Sequence, residues 1–500
     1  ITELYPLARM MKRHFILHIG PTNSGKTHNA LKALKNANSG VYLAPLRLMA
    51  YETYETMNEN GILCSMLTGE EKISVQEAKI VSMTIELLNL DKQFNVAVID
   101  EAQMLSDTRR GGAWTNAILG LAAKEIHICM APEAEKLTCT LIEMCANDTY
   151  EIHHYKRKTP LVCDEEIFHF PESVRKNDAL IVFSKAKVIA CAAELQKKGI
   201  KCSVIYGSLP YETRHNEVKK FVNGETDIVV STDAIGMGMN IPVERIVFLE
   251  NNKYDGVVRR PLFPAEVKQI AGRAGRFGRY EKGYYNAEFG SFRVREKMER
   301  EVLALKQASI DFPTRLLSVK GRLTEIINEW KNIKLSEIFW KQNLNTMWSL
   351  AKYCENFTDD KKLVYRLATT PVDDKNDNLI SLFQCMARDI LTGKKLQLSK
   401  YVEHGKWLYV DEDSEILEYN YKIYDLLYNI FRKFSDGKEL PEITKRKKDI
   451  SAKISKILAA QALNPKKCKY CGRELKWNYP YSMCQKCHER KTSKDYYIFY

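Results

Sequence analysis

The chain has 500 residues, a formal net charge of +13 and 45% hydrophobic residues, which predicts about three or four domains with ordinary apolar cores. No apolar run approaches the roughly 20 residues of a membrane-spanning helix, so an integral membrane protein is not expected. Thirteen cysteines without a regular framework outside the C-terminal region argue against a disulfide-stabilised scaffold and indicate a reducing compartment.

The first predicted strand, FILHIG, leads into GPTNSGKT at positions 20–27 and then into a predicted helix. This is a complete match to the phosphate-binding loop G-x-x-x-x-G-K-[ST]. Its glycines turn backbone N–H groups toward the β-phosphate, while the lysine adds a positive charge and the hydroxyl faces Mg²⁺. The residues expected to bind the phosphates of a nucleoside triphosphate or diphosphate are Gly20, Pro21, Thr22, Asn23, Ser24, Gly25, Lys26 and Thr27. The loop alone also fits tRNA prenyltransferases and small kinases, so it does not define the reaction.

The stretch FNVAVIDEAQML predicts a second buried strand, which ends in the acidic pair Asp100 and Glu101. We expect Asp100 to hold the Mg²⁺ shell and Glu101 to orient or deprotonate the attacking water. Alone, the pair is also compatible with an ordinary strand end. Neighbouring stretches alternate apolar runs, loops and helical patterns, which predicts a parallel α/β sheet with ligands at the carboxyl ends of its strands.

The same alternation begins again after the basic segment HHYKRKTP at positions 153–160, and it predicts a second parallel sheet. This half has no second phosphate-binding loop but carries QIAGRAGR at positions 269–276. We interpret that motif as a helix start with Arg273 and Arg276 on one face. The two arginines are expected to reach the γ-phosphate when the halves close on a nucleotide, with a solvated helix face as the alternative.

Eight motifs, in order along residues 5–278, closely resemble those of superfamily-two DExH-box helicases. The narrower resemblance is to the family of the mitochondrial degradosome RNA helicase (the suppressor-of-var helicase) and its bacterial relatives. The matching stretches are YPLARMMKR, GPTNSGKTH, LAPLRLMAYE, LTGEE, DEAQML, YGSLPYETR, STDAIGMGMNI and QIAGRAGRFG. Weaker likeness continues to about residue 390.

The resemblance implies two tandem RecA-like parallel-sheet domains and an ATP-dependent helicase that unwinds 3′-tailed RNA duplexes by 3′-to-5′ translocation. DNA and hybrid duplexes are further expected substrates, and an exoribonuclease of RNA turnover is a candidate partner. An ATP-gated clamp or translocase without strand separation would carry the same motifs and stays the alternative. We expect a cytoplasmic, bacterial-like location, and because the chain begins at Ile1, a mitochondrial location stays open.

The resemblance also implies residue roles in three groups. Catalysis is assigned to Lys26, Thr27, Asp100, Glu101, Gln269, Arg273 and Arg276. Asp233 and Gly238 are expected to line the nucleotide cleft. Contacts with the backbone of one nucleic-acid strand are assigned to Pro45, Arg47, Thr84, Gly207, Ser208 and Thr232.

Beyond residue 290 apolar residues recur at helical spacing, and the chain then becomes strongly basic. Positions 443–494 hold 15 lysine and arginine residues and three acidic residues, which indicates a polyanion-binding tail. The predicted domains are two RecA-like domains, a helical accessory region, and a basic helix with a zinc ribbon, at residues 1–155, 156–290, 291–440 and 441–500.

In the tail, Cys468, Cys471, Cys484 and Cys487 follow the spacing C-x₂-C-x₁₂-C-x₂-C, which predicts four thiolates on a tetrahedral Zn²⁺. Haem attachment at CQKCH and a redox dithiol are the weaker alternatives. The basic residues around these cysteines alternate with Tyr470, Trp477, Tyr479 and Tyr481. We therefore expect a surface for single-stranded nucleic acid, with a docking module for a protein as the alternative.

Overall fold

The computed structural model describes residues 1–236, 239, 241–402, 407–409, 413–461, 467–479 and 481–495. Backbone contacts divide the chain into two units, each built from separate segments. Unit 1 comprises Ile1–Lys158, Val302–Asp411 and Tyr419–Asp449, and unit 2 comprises Thr159–Glu301, Glu412–Glu418 and Ile450–Tyr500. Among the helices described, none has the length and apolar character needed to cross a bilayer. The division into four consecutive domains stays a prediction.

Unit 1 is built on an eight-stranded sheet with the order β4-β3-β5-β2-β6-β7-β1-β8, in which only β3 and β4 pair antiparallel. Its strands are β1 His14–Ile19, β2 Gly40–Ala44, β3 Cys64–Leu67, β4 Lys72–Ile73, β5 Ile80–Thr84, β6 Gln93–Ile99, β7 Ala122–Met130 and β8 Thr149–His154. The whole of β2 is buried, as expected where helices cover both faces of a parallel sheet.

Helix α1 Pro6–Arg9 precedes β1, and the helices between strands of this sheet are α2 Lys26–Lys35, α3 Arg47–Glu59, α4 Gly111–Gly120 and α5 Glu135–Glu143. Strand β7 lies between β1 and β6. The loops that leave these three strands at Gly20, Asp100 and Ala131 therefore meet at one edge of the sheet.

Unit 2 contains a six-stranded parallel sheet with the order β11-β12-β10-β13-β16-β9 and a separate two-stranded ribbon, β14-β15. Its strands are β9 Leu161–Cys163, β10 Asp178–Ile181, β11 Cys202–Ile205, β12 Ile228–Ser231, β13 Arg245–Phe248, β14 Asn252–Tyr254, β15 Arg259–Pro261 and β16 Gly283–Ala287. Its helices in this region are α6 Lys185–Lys197, α7 Tyr211–Val222, α8 Pro264–Ala271 and α9 Ser291–Glu299. The two parallel sheets confirm the predicted α/β fold class.

The rest of the chain is mainly helical, as predicted. It contains β17 Ala308–Ile310, β18 Phe339–Lys341, α10 Leu323–Asn332, α11 Asn345–Cys354, α12 Lys361–Ala368, α13 Asp377–Leu391, α14 Leu398–Tyr401, α15 Ser414–Phe434, α16 Leu440–Gln461 and α17 Gln485–Asp495. The helical spacing predicted beyond residue 290 is interrupted early, because α9 ends at Glu299. Beyond that point the Leu305 N–H donates to the Glu133 carbonyl oxygen instead of a helical partner.

Candidate ATP, nucleic-acid and metal sites

The phosphate-binding loop joins β1 to α2 in a backbone shape that needs its glycines. A side chain at Gly20 would lie 2.7 Å from the Tyr155 carbonyl oxygen, so only glycine fits there. Gly25 has a φ of +86° and directly precedes α2, a conformation that glycine adopts without strain. The N–H groups at the start of α2 are therefore available to an anion, as the motif predicts.

The polar side chains of this loop fit a phosphate group. Lys26 is 9% exposed, and its Nζ donates to the Pro21 carbonyl oxygen at 3.0 Å, across the loop. Ser24 Oγ is buried and has no hydrogen-bond partner among the described residues. A buried hydroxyl without a partner costs about 1–3 kcal/mol, which a bound phosphate oxygen would recover.

Asp100 is held at the centre of a buried hydrogen-bond network. Its carboxylate accepts bonds from Thr27 Oγ1 at 3.2 Å, Tyr42 OH at 2.8 Å and the Glu101 N–H at 2.9 Å. Burial, followed by the charge of Glu101, raises the pKa of Asp100 to about 6. The structure thus brings Thr27 and Asp100 together, and their role as oxygen ligands of Mg²⁺ stays a prediction.

Gln103 is a functional candidate that sequence reasoning missed, although it stands in the quoted DEAQ motif. Its Nε2 donates to Glu101 Oε2, and its Oε1 accepts from the Ala131 N–H at 3.1 Å. Glu101 itself has a φ of +51°, which is uncommon for a residue with a side chain. Gln103 therefore fixes the carboxylate of Glu101 against the end of β7.

The basic segment that continues past the end of β8 packs on the phosphate-binding loop. Arg157 Nη1 donates to the Thr22 carbonyl oxygen at 3.1 Å, and the Lys158 N–H donates to that of Asn23. Burial lowers the pKa of Arg157 to about 10. A cation held on this loop adds positive potential where the phosphates are expected.

The arginine motif of unit 2 does not start a helix, so that prediction is wrong. Helix α8 contains Gln269 but ends at Ala271, and Arg273 and Arg276 follow it. Gly275 has a φ of +70°, and a side chain there would lie 2.5 Å from Gly283, so a helix cannot continue. Arg273 donates through Nη2 to the Gly236 carbonyl oxygen at 2.6 Å.

Of the other residues of unit 2 with predicted roles, the structure describes Asp233 and Thr232. Asp233 pairs with Lys253 Nζ at 3.0 Å. Thr232 is buried after β12. Gly238 lies outside the described residues.

In unit 1 the residues predicted to contact nucleic acid have protein partners. Arg47 pairs with the buried Glu70, which also accepts from Tyr421 OH at 2.8 Å and Lys447 Nζ at 3.0 Å. Arg110 donates to the carbonyl oxygen of Pro45. Thr84, at the end of β5, is buried.

In unit 2, Gly207 and Ser208 lie on an exposed turn after β11. Ser208 Oγ donates to Glu418 Oε2 at 2.9 Å.

The four cysteines of the tail converge, as their spacing predicts. Their sulfur atoms all lie within 4.8 Å of one another, and those of Cys471 and Cys484 are 3.7 Å apart. Four thiolates at the usual Zn–S distance would stand about 3.8 Å apart, so the cluster fits a tetrahedral zinc ion. Gly472, at a φ of +68°, makes the turn after the first pair.

Comparison with known proteins agrees with this arrangement. The model of the DEXQ-box helicase domain of Suv3 matches residues 2–155, and the helicase conserved C-terminal domain matches residues 158–278. These domains and the phosphate-loop site define the class of the protein, which is an ATP-hydrolysing helicase. More narrowly, the chain belongs to the Suv3 family of DExH-box helicases.

Three relatives illustrate the likeness. The mitochondrial DExH-box ATP-dependent RNA helicase DExH16 of Arabidopsis thaliana is 36% identical over 393 residues, which are 74% of this chain and 67% of that protein. The human mitochondrial ATP-dependent RNA helicase SUPV3L1 is 33% identical, over 81% of this chain and 54% of that protein. The mitochondrial ATP-dependent RNA helicase SUV3 of Saccharomyces cerevisiae is 43% identical, over 55% of this chain and 38% of that protein.

The yeast and human relatives are longer than the region that this chain matches, and they are named as mitochondrial proteins. The chain spans only about half or less of the length of the yeast and human proteins. The predicted cytoplasmic, bacterial-like location is wrong, because the relatives from plant, yeast and human are all named as mitochondrial proteins.

Among solved structures, the Escherichia coli DEAH/RHA helicase HrpB matches with a TM-score of 0.49 at 13% identity, over 85% of this chain and 59% of that chain.

Proposed function

We propose that the protein couples ATP hydrolysis to 3′-to-5′ movement along RNA and unwinds 3′-tailed duplexes, with DNA and hybrid duplexes as further substrates. The observation that carries this proposal is the joined network of Thr27, Asp100, Glu101 and Gln103 beside the phosphate-binding loop. The names of the relatives support RNA as the substrate. A role in RNA turnover with an exoribonuclease stays a prediction.

In this proposal the residues of the phosphate-binding loop, positions 20–27, bind the triphosphate through backbone N–H groups, Ser24 Oγ and Lys26 Nζ. Thr27 and Asp100 would hold Mg²⁺, which would supply positive charge beside the phosphates. Glu101 accepts a proton from the attacking water, and Gln103 keeps its carboxylate in place. The roles of Gln269, Arg273, Arg276, Asp233 and Gly238 on the triphosphate are proposed from the motif resemblance.

The proposed strand contacts are Pro45, Arg47, Thr84, Gly207, Ser208 and Thr232. Because a motor must step along any sequence, we expect these contacts to reach phosphates and sugars and not base edges. The ion pair of Arg47 with Glu70 means that this arginine would have to exchange or share a protein partner when a strand binds.

The test is strand displacement and ATP hydrolysis on a 3′-tailed RNA duplex, compared with 5′-tailed RNA and with DNA. We expect displacement of the 3′-tailed RNA duplex and RNA-stimulated hydrolysis. Displacement from the 5′ tail only would contradict the proposed direction. RNA-stimulated hydrolysis without displacement of any duplex would identify the ATP-gated clamp or translocase instead.

We also propose that Cys468, Cys471, Cys484 and Cys487 bind one structural Zn²⁺. The module around them is small, and its buried hydrophobic cluster centres on Leu475 and two of the cysteines. Burial on this scale cannot fold a module alone, so the metal would supply much of its stability.

Metal analysis of the purified protein tests this site. We expect one zinc per chain, and loss of that zinc in Cys484→Ser. The control is Cys385→Ser on α13, outside the cluster. Equal zinc content in the two variants would overturn the proposal, because a site that loses one of four thiolates should bind the metal far more weakly.

The ribbon is proposed to bind single-stranded RNA through one face. Trp477 lies on the face of the ribbon that packs against the rest of unit 2. Its ring packs edge-on against Phe170, with the ring centroids 5.0 Å apart, and Glu474 pairs with Lys197. Tyr470 and Tyr481 are 63% and 67% exposed. Exposed cations surround them at Lys467, Lys469, Arg473, Lys476, Lys486 and Arg490. Exposed aromatic rings among cations favour stacked bases and phosphates over a protein partner.

A further inference from the structure

A carboxylate occupies a cluster of three hydrogen-bond donors in unit 2. Glu418, in the first turns of α15, accepts from Tyr206 OH at 2.9 Å and Ser208 Oγ at 2.9 Å, and its Oε1 lies 2.8 Å from Lys185 Nζ. Lys185 Nζ also lies 3.4 Å from Ser414 Oγ. The side chain of Glu418 is only 11% exposed, so the three donors and their surroundings largely enclose it.

The donors stand where a parallel sheet usually binds its ligands. Lys185 is the first residue of α6, after β10, and Tyr206 and Ser208 follow β11. Both positions are at the carboxyl edge of the six-stranded sheet.

The turn that carries Ser208 is held by hydrogen bonds from Arg214, and its outer surface is exposed to solvent. Arg214 Nη2 donates to the carbonyl oxygens of Gly207 and Leu209 at 2.8 and 3.2 Å. A side chain added at Gly207 would meet no atom within 4 Å. There is therefore room for another chain to pass over this turn.

The donor set suits a phosphodiester as well as it suits a carboxylate. Both groups carry one negative charge on two oxygens, and both bind a lysine and two hydroxyl donors at such distances. Burial and the charge of Glu418 raise the pKa of Tyr206, so its phenol stays protonated and donates.

We infer that Lys185, Tyr206 and Ser208 form the binding site for one phosphodiester group of the nucleic-acid strand, and that Glu418 occupies this site until the strand displaces it. The inference rests on the proposed function, in which Ser208 contacts the strand. It adds Lys185 and Tyr206 to the strand-binding residues and identifies Glu418 as a competitor built into the chain.

The first test removes the charge of Glu418 and measures RNA binding. Glu418→Gln keeps the shape of the side chain but removes the charge that competes for Lys185. We expect its Kd for single-stranded RNA to fall about fivefold, because less free energy is spent in vacating the site. Glu415→Gln, an exposed glutamate on the same helix, is the matched control and should leave the Kd unchanged.

Lys185→Met gives a second measurement, which tests the phosphate contact itself. Its RNA affinity should fall, and the slope of log K against log salt should decrease by about 0.7, the value for one phosphate contact on a single strand. Thermal unfolding of every variant shows whether the fold is intact.

Failure of the inference and failure of the proposed function look different. If the wild type binds RNA but Glu418→Gln binds no more tightly, Glu418 is a structural anchor and the inference is overturned. An unchanged salt slope in Lys185→Met would overturn the phosphate contact in the same way. If neither the wild type nor any variant binds RNA, the proposed function itself fails.

Discussion

The phosphate-loop site of unit 1 and the arginine motif of unit 2 differ in how their polar groups are held. In unit 1, Thr27 and Tyr42 bond to Asp100, and Gln103 bonds to Glu101, within a buried network. In unit 2, Arg273 follows the end of its helix and donates to a backbone carbonyl oxygen, that of Gly236.

The phosphate-loop site of unit 1 is organised before its ligand binds, whereas Arg273 of unit 2 must exchange a protein partner for its ligand. A buried carboxylate such as Asp100 is stable only when its oxygens are satisfied, so its network has to exist in the free protein. An arginine on a loop can exchange a carbonyl oxygen for a phosphate, since its charge favours the phosphate.

The largest effect is expected from Glu101→Gln in unit 1. The amide cannot accept a proton from water, so kcat for RNA-stimulated ATP hydrolysis should fall by about 10³-fold. Binding of ATP should persist, since Lys26 and the loop N–H groups are untouched. Glu59→Gln, at the exposed end of α3, is the control. A Glu101→Gln enzyme with near-normal kcat would mean that another group acts as the base.

A smaller loss is expected from Arg273→Lys in unit 2. Lysine keeps the charge but loses the planar fork, so kcat should fall by about 10²-fold while ATP affinity changes little. Steady-state kinetics and nucleotide binding measured on the same samples separate the two quantities. A loss confined to ATP affinity would show that Arg273 holds the ground state and not the reacting phosphate.

Gln103→Ala probes the organisation of the unit 1 site with a milder change. Glu101 would lose the partner that links it to Ala131, and we expect kcat to fall about tenfold with KM for ATP unchanged. Gln93→Ala, at the exposed start of β6, is the matched control. The positioning role predicts partial rescue by Gln103→Asn, whereas a purely structural role would lower the unfolding temperature without any rescue.

The sequence predicted the parts of the site that lie within one short motif. Gly20 to Thr27, and the pair Asp100 and Glu101, carry their chemistry in local spacing, and parallel-sheet topology brings them together. The end of α8 was misjudged because the close approach of Gly275 to Gly283 is a tertiary constraint that the local pattern does not contain. The bond between Glu418 and Ser208 joins residues 210 positions apart, so no local pattern could indicate it.

The smallest effect concerns a histidine behind the phosphate-binding loop of unit 1. His18 lies on β1. Its Nε2 is 2.8 Å from His127 Nδ1, and its Nδ1 is 2.7 Å from Tyr155 OH. The ring of His153 stacks on it from β8. Burial, and then the charges of His127 and His153, lowers the pKa of His18 to about 4.

This shift predicts a loss of stability in acid. The unfolded chain takes up a proton on His18 near pH 6.5, while the folded protein resists protonation until about pH 4, so stability falls as pH decreases between these values. Between pH 7 and pH 5 the residue should account for about 2 kcal/mol of lost unfolding free energy. His18→Gln should therefore lose less stability over this range than the wild type does in denaturant unfolding. Equal losses in the two proteins would show that His18 titrates alike in the folded and unfolded chain.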